Sequence, residues 1–192
     1  MISSAIKLSV AILLLSGLSE QSLNTGPCSN YTVPVARSFT PESLCLKTWY
    51  LISTDDEGLP YHLSGCIKFF HTVFLGTGNV ETVETAKNLE TNERTVSISS
   101  MKFSGTDGTY VYTTEGVPSQ DTKILLTDTK TYYVEFSCAD EGSEANCYVG
   151  IFSSAPIMDT VKLDAIHNYL EAYNIKRSNF RMVEQSPTIC GL

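Results

Sequence analysis

Six cysteines, at Cys28, Cys45, Cys66, Cys138, Cys147 and Cys190, constrain this chain more than any other feature. They contain no Cys-x-x-Cys pair, and no histidine stands at metal-ligand spacing from them. Zinc and thioredoxin-type chemistry therefore lack their basic arrangement, and no metal site is expected. Disulfides are the better account, and they persist in oxidising compartments. The N-terminus agrees: Lys7 precedes an apolar run from Leu8 to Leu15, with Gly17 and Ser19 placed for cleavage before Glu20. Residues 1–19 read as a secretory signal peptide, which leaves 20–192 as a single extracellular domain. The apolar run is about half the ~20 residues of a membrane-crossing helix, so no membrane span is expected. A net charge of −8, one unit more negative once Lys7 is removed, comes without a basic stripe. Nucleic acid is excluded as a partner on that ground. Asn30-Tyr31-Thr32 is a glycosylation sequon, with Asn30 as the acceptor.

Between Thr48 and Ser153 the chain alternates short runs rich in Thr, Val, Tyr, Phe and Ile with polar turns. The pattern predicts strands at Thr48 to Thr54, Cys66 to Leu75, Val80 to Ala86, Arg94 to Phe103, Thr109 to Thr113, Lys123 to Thr127, Thr131 to Cys138 and Cys147 to Ser153. Gly76-Thr77-Gly78, Thr91-Asn92 and similar clusters separate them, and such short connections suit antiparallel neighbours in an up-and-down barrel. One helix follows. Asp159 can cap it, and Leu163, Ile166, Leu170 and Tyr173 make one apolar stripe for the barrel's outer wall. Phe180 to Val183 offers a short ninth strand.

Thr48-Trp49-Tyr50 is where the chain resembles a lipocalin, a family that opens its barrel with Gly-x-Trp; here Lys47 replaces the Gly. Thr127-Asp128-Thr129 matches two of three residues of the family's second motif. The Arg that normally stacks on the Trp has no counterpart in Phe152-Ser153-Ser154-Ala155-Pro156, so the cation-π lid is expected to be missing. The cysteine layout is similar to that of the apolipoprotein D and insect bilin-binding branch, and also to divergent nitrophorin-like and triabin-like salivary lipocalins of blood-feeding arthropods. The resemblance implies an all-β fold: an eight-stranded antiparallel up-and-down lipocalin barrel with one C-terminal helix packed outside. It also implies bridges from Cys66 to Cys190 and from Cys28 to Cys138. Cys45 and Cys147 then form a third bridge; alternatively Cys138 joins Cys147 across a hairpin and Cys28 joins Cys45.

An eight-stranded barrel is wide enough for one small ligand. If Cys66 and Cys138 point outward, then Ile67, Phe69, His71 and Val73 on one strand face inward, as do Tyr133 and Glu135 on another. Alignment adds Tyr148 and Phe152, with Trp49 and Leu51 from the first strand. This lining suits a hydrophobic or amphipathic small molecule, with His71, Tyr133 and Glu135 as polar handles. His71 reads first as a satisfied strand histidine, and Tyr110, Tyr112 and Tyr132 as ordinary strand residues. No G-x-S-x-G, H-E-x-x-H or P-loop motif occurs, so no catalytic residue and no cofactor are expected. The resulting expectation is a secreted, monomeric carrier of a lipid, pigment, amine or eicosanoid. A salivary scavenger of amines or eicosanoids and a triabin-like, loop-based protein inhibitor are the alternatives.

Overall fold

Strands form where β-branched and aromatic side chains alternate with polar ones, because such residues fit a pleated, half-buried surface. The computed structural model describes residues 27–37, 39–55, 64–74, 79–105, 107–141 and 144–191. The leader and the turns at 56–58 and 76–78 lie outside them. The alternating runs become β1 (Thr48–Asp55), β2 (Ser64–Phe74), β3 (Asn79–Asn88), β4 (Arg94–Phe103), β5 (Thr109–Thr114), β6 (Gln120–Thr127), β7 (Tyr132–Glu141) and β8 (Glu144–Ser153). Each pairs antiparallel with the next, and β1 pairs with both β8 and β2, which closes the barrel. A short β9 (Phe180–Met182) adds to the outside of β1. The eight-stranded up-and-down barrel with an outer helix is thus the fold observed.

The alternation divides the apolar side chains between two cores. Trp49, Ile67, Phe69, Met101, Ile124, Tyr133 and Phe152 fill the interior. Val134, Phe136, Val149 and Ile151 point outward and are covered by α1 (Thr160–Glu171). The Asp159 carboxylate caps this helix by accepting from the Lys162 N–H at 3.1 Å. Leu163, Ile166 and Leu170 are buried, which stabilises the docked helix by about 6 kcal/mol at roughly 2 kcal/mol each. Tyr173 departs from the expected stripe and is 39% exposed. The helix ends before it, where Asn174 turns left-handed (φ 63°) and sends Ile175 into the core. His167 is the extra buried member of the helix face, its ring edge-on to Phe180 at 4.8 Å.

The narrow end of the barrel is held by hydrogen bonds around Trp49. Its indole N–H donates to the Leu44 carbonyl at 2.7 Å, and its ring meets Tyr133 edge-on at 4.9 Å. The lid expected to be missing is present in another form: the Lys47 ammonium lies 4.5 Å from the Trp49 ring centroid. It also donates to the carbonyls of Thr129 and Lys130, at 3.2 and 3.4 Å. The residue in the glycine position of the first motif therefore supplies the cation that no arginine after β8 provides. The turn it reaches is fixed by Asp128, whose carboxylate accepts from the N–H groups of Lys130, Thr131 and Tyr132. Partial desolvation favours its protonation, but the Thr131 hydroxyl, which also donates to this carboxylate, together with these N–H bonds wins and holds the carboxyl at about 2.

Cys66 is bonded to Cys190, which ties the C-terminal tail to β2. Gln185 reinforces that tie by donating to the carbonyls of Leu51 and Ile67, each at 2.9 Å, beside irregularities in β1 and β2. Of the two arrangements expected for the remaining cysteines, the Cys138–Cys147 pairing of the alternative is present, and neither proposed bridge to Cys45 is. Cys45 is a buried free thiol that donates to the Pro41 carbonyl and is joined to neither Cys147 nor Cys28. Burial, with the charge of Glu42, pushes this thiol up to about 11. Cys147 instead stands directly across the β7–β8 ladder from Cys138, which also contacts Cys28. Register explains the difference: Cys45 belongs to the inner core, whereas Cys138 and Cys147 belong to the outer one.

Candidate ligand-binding site

The period-two alternation places Ile67, Phe69, His71, Tyr133, Glu135 and Phe152 inside the barrel, all 8% exposed or less. Leu51 joins the same core and Val73 packs against its edge half-buried. The lower interior is filled by aromatic contact. Tyr133 stacks on Phe152 at 4.4 Å, and Phe69 meets Phe152 edge-on at 5.2 Å. Gly150 makes room for this stack, since a Cβ there would lie 2.5 Å from the Phe152 ring.

His71 sits within this layer as a hydrogen-bonded core residue. Its Nδ1 pairs with the Thr82 hydroxyl at 2.9 Å and its Nε2 with the Tyr133 hydroxyl at 3.3 Å. Burial lowers its pKa to about 3, so the imidazole is neutral at physiological pH.

Glu135 is the centre of a polar layer above. The hydroxyls of Tyr110 and Tyr148 donate to its two carboxylate oxygens at 2.6 and 2.5 Å. Burial raises its pKa, these two bonds oppose the rise, and the charge of Glu84 adds to it. The same burial, with the neighbouring carboxylate, pushes the Tyr110 and Tyr148 hydroxyls well above their ordinary range. Nearby, the Thr122 and Ser137 hydroxyls pair at 2.7 Å, and Ser137 donates to Gln120 at 3.1 Å.

A cavity of about 150 Å³ opens over this layer. Phe69, Phe152, Tyr148, Tyr112, Glu84 and Gln120 are among its walls, and Glu84 is the only charged side chain among its described lining residues. The site thus combines an aromatic floor with a carboxylate at its rim and a second one behind Tyr148. Of the residues expected from sequence, Phe69, Leu51, Tyr148 and Phe152 meet the cavity. Trp49, Ile67, His71 and Tyr133 lie in the packed layers of the inner core. Glu84, Tyr112 and Gln120 were not expected at the site. The alternation Val80, Thr82, Glu84 along β3 carries the signal for Glu84 once Val80 is set inward. No cysteine anchors that strand.

No family model matches the sequence, and no curated protein matches it. Solved structures do match in fold. Insecticyanin from the tobacco hornworm Manduca sexta superposes with a TM-score of 0.70 at 16% identity, over 88% of this chain and 93% of that one. A biogenic amine-binding protein gives 0.66 at 16% identity, over 83% and 93%. Lobster apocrustacyanin A1 gives 0.65 at 16% identity, over 83% and 93%. The barrel has the lipocalin fold.

Proposed function

We propose that this chain is a secreted, monomeric binding protein that encloses a small aromatic amine at the mouth of its barrel. The carrying observation is the pair of inward carboxylates, Glu84 on the cavity wall and Glu135 behind Tyr148, over a floor of Phe69 and Phe152. Glu84 accepts from the Ser97 hydroxyl and Glu135 from those of Tyr110 and Tyr148, and a ligand ammonium adds an opposite charge beside these carboxylates. Size favours the same class. About 150 Å³ is well below the ~300–1,000 Å³ of sites for drug-sized ligands, which fits one ring system with a short tail better than a pigment or a long acyl chain. Burying one such ring removes ~150 Å² from water, worth roughly 4 kcal/mol at ~25 cal/mol per Å². The fold likeness to a biogenic amine-binding protein supports this reading, and the disulfides agree with an extracellular setting. Calorimetry with serotonin, histamine and palmitate tests it. One-to-one binding of serotonin with no heat from palmitate is expected; the reverse order of affinity would replace the amine by a lipid.

A further inference from the structure

Three sulfurs meet on the outer wall of the barrel. Those of Cys28, Cys138 and Cys147 all lie within 4.8 Å of one another. The β7–β8 ladder sets Cys138 opposite Cys147, with Cα atoms 4.0 Å apart. The N-terminal segment brings Cys28 to the same place, its Cα 5.9 Å from that of Cys138. Cys138 therefore has two bonding partners in contact, and a sulfur closes only one disulfide. Cys45 cannot take up the odd thiol, because it is enclosed in the inner core.

We infer that this cluster is a thiol–disulfide exchange site in which Cys28 and Cys147 compete for Cys138. With the Cys28–Cys138 bridge closed, the Cys147 thiolate attacks the Cys138 sulfur. A Cys147–Cys138 bond forms as Cys138–Cys28 breaks, and the electron pair leaves on Cys28, which takes up the proton that Cys147 lost. Two electrons and one proton are conserved, so the step consumes neither oxidant nor reductant.

The two states differ in what holds the N-terminal segment. In one, it is covalently tied to β7. In the other, Cys28 leaves Cys138 together with its N–H bond to the Asp140 carboxylate, 2.7 Å long when docked, and the segment keeps only Tyr31 against Phe136 and the Ala36 N–H donating to the Ile124 carbonyl at 2.8 Å. Chain statistics explain why both states are reached. The sequence separations are 110 residues for Cys28 and 9 for Cys147. With a three-halves power of loop length, Cys138 meets Cys147 about 40-fold more often in the unfolded chain. Folding then docks the segment and lets Cys28 compete.

The test is to quench the folded full chain in acid, unfold it in guanidinium chloride with N-ethylmaleimide, digest it without reduction, and map its bridges by mass spectrometry. Two populations are expected: Cys138 bonded to Cys28 with maleimide on Cys147, and Cys138 bonded to Cys147 with maleimide on Cys28. Asp140→Ala, which removes the anchor of the Cys28 N–H, should shift the ratio toward Cys138–Cys147 by about 10-fold. A single pairing unmoved by Asp140→Ala would overturn the exchange. So would Cys28 or Cys147 joined to Cys45, or either of them joined to a second chain.

Discussion

Replacing Lys47 by methionine should destabilise the barrel by about 2 kcal/mol, half of it through the face of Trp49. The ammonium lies 4.5 Å from the indole centroid and is half-buried. That places the cation-π energy near ~1 kcal/mol, between the exposed and the desolvated limits. Its bonds to the Thr129 and Lys130 carbonyls contribute about another 1 kcal/mol, because water can replace part of what is lost at the exposed turn. The methionine stem keeps most of the apolar contact. For a domain of this size the loss lowers Tm by roughly 4–8 °C. A double-mutant cycle with Trp49→Leu isolates the ring contribution, with an expected coupling of about 1 kcal/mol. Urea unfolding should be followed by far-UV circular dichroism, since Trp49 is the only tryptophan and its fluorescence disappears in half of the cycle. A coupling below about 0.3 kcal/mol would show that Lys47 does not serve as the lid.

Two further outcomes follow from the same structure. Cys66→Ala combined with Cys190→Ala should cost about 4 kcal/mol in thermal unfolding, because the bridge closes a loop of 124 residues in the denatured chain. Glu135 should give ligand-free stability an unusual pH dependence. Its folded pKa is raised by burial, so its contribution is full below the ordinary value of 4.5 and is lost as pH rises through the folded value. Tm measured from pH 4 to 8 should decline from this source in the wild type, and Glu135→Gln should flatten that part of the decline; an unchanged profile would place the raised pKa elsewhere.

The strands were legible because alternation is a local property. Arg94 to Phe103 was read with the bounds it has in the structure, and β9 was found from Phe180 onward. The inward set around Tyr133 and Glu135 was also readable, because the bridge pattern implied by the resemblance says which way Cys138 points. What failed depended on three-dimensional neighbours. Lys47 appeared as a defect in a motif, since nothing in the sequence shows that its side chain folds back over Trp49 to the turn after β6. That Cys45 stays unbridged turned on which face of the barrel it occupies, while Cys138 as the partner of Cys147 was one of the two readings. Tyr110 looked like an ordinary strand residue because its bond to Glu135 crosses the barrel interior between strands that are not neighbours. Tyr173 kept the helical spacing after the helix itself had ended.

The amine reading stands or falls on whether the inward carboxylates bind a cation. Serotonin and indole should be titrated by calorimetry into the wild type, Glu84→Gln and Glu135→Gln at neutral pH. Removing one partner of an enclosed charge pair costs ~2 kcal/mol or more, so Glu84→Gln, on the cavity wall, should bind serotonin about 30-fold more weakly, and Glu135→Gln, behind Tyr148, should lose less. Indole, which has the ring without the amine, should bind all three equally. Serotonin affinity unchanged in both variants would contradict the account.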